Sequence, residues 1–304
     1  MQGQSVPAPE ENIPFLVTFG KDGDISWGDD DFTQTFFFVI PVSMTEPFYI
    51  RVFDPSSGGQ HDEMKANWNT VTRFSIYGGI GCYSNPDARN VNPIGKFKSG
   101  SLLTTKVFND EGYDNDWYTF GPFNPKDGEF DQFNNGHLFK VIAEGVSGDD
   151  GNLYRYFLST SQNKNVPVEG GNAFTYEYTF RMHDQANQIS HIYPYVDSRV
   201  VSIKQSNFDW DNDGYMKVIS KAKAGLKIEV SGEKNWSSTE HKVTELEHNS
   251  SLDFQFIKSA KSIPRNNVVI SIQNQYGETL PFYTVPIGGI PKYVPALRSK
   301  PSRQ

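Results

Sequence analysis

Apolar residues recur along this chain in short runs, broken at close intervals by Gly, Pro, Asn and Asp. IPFLVTF at 13–19, TQTFFFVIPV at 33–42, FYIRVFD at 48–54, VTRFSIYG at 71–78 and SLLTTKVF at 101–108 have the aromatic and β-branched composition of strands. WYTF at 117–120, HLFKVIAEG at 137–145, LYRYFLSTS at 153–161 and AFTYEYTFR at 173–181 continue the pattern. The last alternates strictly, which predicts Phe174, Tyr176, Tyr178 and Phe180 on one face. No segment keeps an apolar stripe at i, i+3 and i+4, so no helix longer than about three turns is expected.

The polar stretch MHDQANQIS at 182–190 interrupts this series and reads as a linker. Beyond it come HIYPYV, RVVSIK, YMKVIS, GLKIEV, HKVTEL, SLDFQFI, NNVVISIQN and TLPFYTVPI, spaced as in an immunoglobulin-like sandwich. The expectation is an all-β chain of two β-sandwich domains: a jelly-roll-like sandwich at 13–181 and an immunoglobulin-like one at 191–290. A flexible Pro/Glu-rich lead at 1–12 and a basic, Pro-punctuated tail at 291–304 flank them.

Charge agrees with a boundary near 182. Residues 1–181 hold 24 acidic and 13 basic side chains, and residues 182–304 hold 12 and 15. A net charge of −8 with scattered lysines argues against nucleic acid as a partner. No apolar run of about 18 residues occurs, so no transmembrane helix is expected. The single cysteine, Cys82, excludes an intrachain disulfide. The opening QGQSVPAPEEN reads as the mature amino terminus of an exported protein whose signal has been removed.

Candidate chemistry lies in the loops. Asp54, Asp62 and Glu63 sit between two strong strands, with Gly58 and Gly59 allowing close backbone approach. They are expected either to hold Ca²⁺ at the rim of the sandwich or to form a solvated acidic loop. Asp209, Asp211 and Asp213 followed by Gly214 match the start of many calcium loops. The bidentate Glu of an EF-hand is replaced by Ser220, which leaves a different calcium turn or an Asp/Asn-rich turn. The acidic turn KDGDISWGDDDF carries Asp22, Asp24, Asp29, Asp30 and Asp31, and most such turns are simply turns. Trp27, Trp68, Tyr83, Tyr113 and Trp117 lie in or beside loops, where their rings either stack on a sugar or cap the core. The long Gly/Asn/Pro-rich loop at 80–100 is of a length that usually serves function or moves. The six histidines form no HExxH, and neither G-x-S-x-G nor a P-loop occurs. The chain is therefore expected not to be an enzyme.

In strand order and in the polar break between its two sets, the chain resembles secreted bacterial tandem β-sandwich proteins over residues 13–290. These pair a jelly-roll or pre-peptidase-carboxy-terminal-like module with an immunoglobulin-like one. The resemblance implies the periplasm or cell surface of a bacterium, and a non-catalytic interaction or assembly role with other cell-envelope proteins. A carbohydrate-binding module that helps capture polysaccharide, with a glycan as partner, is the alternative, and a hydrolase comes third.

Overall fold

The short apolar runs fold into antiparallel sheets. The structure, a computed structural model, describes residues 5–110, 112–261 and 263–290. Strand holds 46% of the chain and helix only 6%. Every helical element among the described residues is a 3-10 turn of three or four residues, as the missing apolar stripe requires.

The largest sheet runs Trp236–Lys242, Ser202–Phe208, Asn267–Asn274, Glu177–Arg181, Phe15–Phe19, Gly151–Ser159, Phe48–Phe53 and Trp117–Phe123, in hydrogen-bonded order. A second runs Phe282–Tyr283, Asn172–Thr175, Thr33–Pro41, Gly136–Ser147, Val71–Gly78 and Ser101–Phe108. The two face each other through inward rings. Phe36 meets Tyr156 and Tyr178, and Phe74 meets Tyr154, at centroid distances of 5.9, 5.4 and 5.1 Å. Burying each such side chain stabilises the fold by about 1.5–3 kcal/mol.

A four-stranded sheet of Ile189–Ile192, Asp253–Lys258, Gly214–Ile219 and Ala224–Ile228 covers the later part of the chain. Its Phe256 meets Phe180 at 5.2 Å and stacks on the buried Trp210 at 5.0 Å. Glu177–Arg181 is bonded to Phe15–Phe19 on one side and to Asn267–Asn274 on the other. The large sheet therefore continues past the 182–190 segment. One buried core contains Leu16, Phe36 and Phe139 from before that segment and Met216, Phe254 and Ile270 from after it. The two strand sets share a sheet and a core.

Two expectations change. The run at 173–181 is not one strand, because the chain crosses between sheets at Tyr176. Asn172–Thr175 pairs with Thr33–Pro41, whereas Glu177–Arg181 joins the largest sheet. Phe174 and Tyr176 consequently pack in a small satellite cluster while Tyr178 and Phe180 enter the main core. The four rings do not share a face. Thr175 secures the crossing: its Oγ1 lies 2.7 Å from the Thr35 carbonyl oxygen and accepts the Glu177 N–H at 3.3 Å.

Residues 5–12, expected to be flexible lead, are packed. Ser5–Val6 pairs with Tyr156 and Phe157, and Glu11 is buried where it accepts the Ala8 N–H at 2.6 Å and the Tyr178 hydroxyl at 3.2 Å. Those bonds close a turn that a Pro/Glu-rich composition alone does not reveal. The remainder of the lead, residues 1–4, and the tail at 291–304 lie outside the described residues.

Candidate ligand-binding groove

The crossing at Tyr176 exposes a groove of about 760 Å³ between the 83–94 loop and the 273–283 hairpin. The loop is rich in Asn and Pro, yet its ends are held from below. The Glu129 carboxylate accepts the N–H groups of Tyr83 at 2.7 Å and Ser84 at 3.0 Å. Burial works against that charge, but the bonds from Ser84, Tyr83 and Gly81 outweigh it and hold Glu129 below its ordinary value. Buried Lys140 donates to the Phe97 and Ser99 carbonyl oxygens at 2.5 and 2.8 Å. Asn85 caps the 3-10 turn Pro86–Arg89. Cys82 is buried under the loop, and burial pushes its thiol up to about 12, so it serves packing and not nucleophilic chemistry.

The opposite wall is the turn after Asn267–Asn274. Asn274 accepts the N–H groups of Tyr276 and Glu278, and Gly277 takes the left-handed conformation the turn needs. The floor is aromatic. Tyr176 and Tyr283 rest on Phe174, the Tyr83 and Tyr176 hydroxyls are 3.3 Å apart, and Phe133 packs beside Tyr195 at 5.4 Å. Phe133 stays 58% exposed and Ile94 61%, both facing the groove. Arg89 lies over the Tyr83 ring at 5.4 Å. Arg199 is gripped by Asp197 at 2.9 Å. Burial would raise the Asp197 carboxyl, but bonding to Arg199 prevails and holds it below the usual carboxylate range.

Of the five aromatic candidates, Tyr83 alone lines this groove. Trp27 packs on Phe19 under the Lys65 ammonium. Tyr113 sits edge-on to Phe108 and Tyr118, and Trp117 packs on Phe53 beneath Arg51. Trp68 is half-buried and lies away from the groove. Tyr176, Tyr195, Tyr283 and Phe133 were missed because three of them sit in or beside strands and read as core.

The metal candidates separate. Asp54 accepts the Asn115 N–H at 2.8 Å, and Asp62 accepts those of Gly58 at 2.7 Å and Leu153 at 2.6 Å. Glu63 instead binds Arg181 at 2.6 Å and pairs with Lys65. Asp209 accepts the Lys234 N–H at 2.5 Å, and Asp213 forms a fully buried ion pair with Lys258. An ion at the 209–213 turn would compete with that ammonium for the third carboxylate.

The carboxylates that do converge are Asp29, Asp30 and Asp31. Among the described residues they are the group of three whose ligand oxygens all lie within 4.8 Å of one another. Glu177, at the crossing, lies outside that set but near enough to feel the charge of all three. With Asp31 it lines a small cavity of about 20 Å³ roofed by residues 88–97, room for one water-sized particle and too little for a sugar. Burial raises all four carboxyls, Asp29 to about 7 and Asp30 to about 6, and their mutual repulsion adds to it at Asp29, Asp31 and Glu177.

Asp54 supplies a pH test of its own. Burial raises it to about 6, with Asp114 adding repulsion and the Asn115 N–H and Arg155 opposing. A folded value above the unfolded one means that stability present at low pH is lost as pH rises through about 6. Asp54→Asn keeps an acceptor for Asn115 and removes that loss. The variant is expected to exceed the wild type by about 1–2 kcal/mol at pH 8, after allowing for solvent screening, and to match it near pH 4. Denaturation curves at both pH values check this; equal stability at pH 8 contradicts it.

No protein-family model matches the chain, and no curated protein matches it at a significant level.

Proposed function

We propose that the protein is a non-catalytic binder of the bacterial periplasm or cell surface whose groove holds a glycan chain. The lining of the groove carries this reading. Tyr83, Phe133 and Tyr195 offer rings beside the amides of Asn90, Asn92 and Gln273 and the guanidinium of Arg199. A sugar ring has an apolar face of C–H groups and a rim of hydroxyls that both donate and accept. Aromatic rings match the face, and amides and guanidinium match the rim. Hydrolysis would need a carboxyl kept protonated by an apolar setting beside an ionised one. The carboxylates lining the groove are Asp197, ion-paired with Arg199, and the exposed Glu278, so neither sits in such a setting, which supports binding without cleavage.

Phe133 and Tyr83 are the anchors this reading selects. Aromatic truncations at the centre of a site cost 2 kcal/mol or more, about 30-fold in affinity. A glycan array probed with the wild type and with Phe133→Ala tests the proposal. Binding to a defined oligosaccharide, lost in the variant, is expected; no glycan bound, or equal binding by both, overturns it.

An assembly role with another envelope protein is the second reading, and one observation favours it. Ser101–Phe108 is an edge strand with Leu102 and Val107 exposed, open to an added strand from a partner. Capture of an envelope protein that survives Phe133→Ala and fails in Val107→Lys would move the function to this edge. The finer architecture belongs with these proposals: a jelly-roll-like and an immunoglobulin-like sandwich fused through the sheet they share.

A further inference from the structure

We infer that Asp29, Asp30 and Asp31 bind one Ca²⁺ ion, with Glu177 closing on it from the wall of the small cavity under the 88–97 loop that it shares with Asp31. The three aspartates supply oxygens within 4.8 Å of one another, but three neighbouring acids on a turn are common without an ion. Glu177 is the independent observation. It comes from a different strand, is only 9% exposed, lines the same cavity as Asp31, and its carboxylate accepts no hydrogen bond from any described residue. Buried carboxylates are normally bonded, ion-paired or on a metal.

The other oxygens point the same way. Asp30 Oδ1 and Asp31 Oδ2 are buried and accept no hydrogen bond from the described residues. Asp29 is held by the N–H groups of Phe19 and Phe32, both at 2.8 Å, and Asp31 Oδ1 by that of Thr33 at 2.8 Å. Those bonds fix the turn while leaving lone pairs free. Among the described residues, no lysine or arginine is among the groups acting on any of the four. Arg89, on the cavity roof, is drawn instead over the Tyr83 ring.

An all-oxygen, all-anionic donor set selects a hard cation. Ca²⁺ accepts six to eight oxygens in irregular arrangements, whereas Mg²⁺ demands a near-ideal octahedron and usually keeps several waters. A cavity of about 20 Å³ has room for one water beside the carboxylates, which favours the larger ion.

The test is calorimetric titration of the chelator-stripped full chain with CaCl₂ at pH 7.5. Glu177→Gln, Asp31→Asn and the remote Asp211→Asn serve as variants. The isosteric changes remove repulsion, so in chelator the first two should melt no lower than the wild type, which separates lost ligation from lost folding. Uptake of one Ca²⁺ per chain is expected, at least tenfold weaker in Glu177→Gln and in Asp31→Asn and unchanged in Asp211→Asn. Absence of Ca²⁺ uptake at millimolar concentration overturns the site. So does uptake that is indifferent to both substitutions, or that is lost in Asp211→Asn. Preference for Mg²⁺ over Ca²⁺ overturns the choice of ion.

Discussion

Lys258→Ala is expected to destabilise the protein by about 3–5 kcal/mol, because it leaves a carboxylate buried without its counter-charge. Lys258 and Asp213 form an ion pair with no exposure of either side chain. Lys258 also donates to the Ile263 carbonyl oxygen at 2.9 Å, while Asp213 accepts Ser259 Oγ at 3.2 Å and Asn266 Nδ2 at 3.4 Å. Urea denaturation reads the loss directly. The double variant Lys258→Ala with Asp213→Ala should lose less than the sum of the two single changes, since neither charge is then left alone. A cost under about 1 kcal/mol for Lys258→Ala would mean that the pair is not buried as described.

Phe180→Ala should cost a comparable 3–5 kcal/mol and should weaken both halves of the molecule at once. Its ring lies against Tyr178 and Phe256, and its strand is bonded to one strand from each side of the 182–190 segment. A shared sheet and core predict one cooperative transition, with circular dichroism and tryptophan fluorescence coincident in the wild type and moved together in the variant. Two resolved transitions, with only one of them shifted, would contradict the shared core and favour independent sandwiches.

The strands themselves were legible. Val71–Gly78 falls where alternation puts it, because Phe74 and Ile76 give it one apolar face, and Ser101–Phe108 is marked by its apolar and β-branched residues. Trp236–Lys242 begins before the HKVTEL run, because WSSTEHK is an exposed edge strand held by backbone bonds to Ser202–Phe208 and has no buried face to mark it. The crossing at Tyr176 was illegible for a different reason. Period-two alternation continues straight through 174–180 although the chain changes sheets there, and local pattern cannot report which sheet a strand joins. Both the groove and the acidic cluster depend on that crossing, which sends Tyr176 to one and Glu177 to the other. Asp29, Asp30 and Asp31 could be seen as an acidic turn, but Glu177, which their charge reaches, lies far along the chain. The D-x-D-x-D-G motif was conspicuous in sequence, and its third carboxylate is occupied by a lysine that no spacing rule connects to it.

The groove between the 83–94 loop and the 273–283 hairpin is the proposed glycan site. Hydrogen exchange of the full chain, with and without a saturating oligosaccharide identified on the array, tests it most directly. Slowed exchange confined to the 83–94 loop and the 273–283 hairpin is the result the account predicts. Protection along Ser101–Phe108 with the groove unchanged would contradict it.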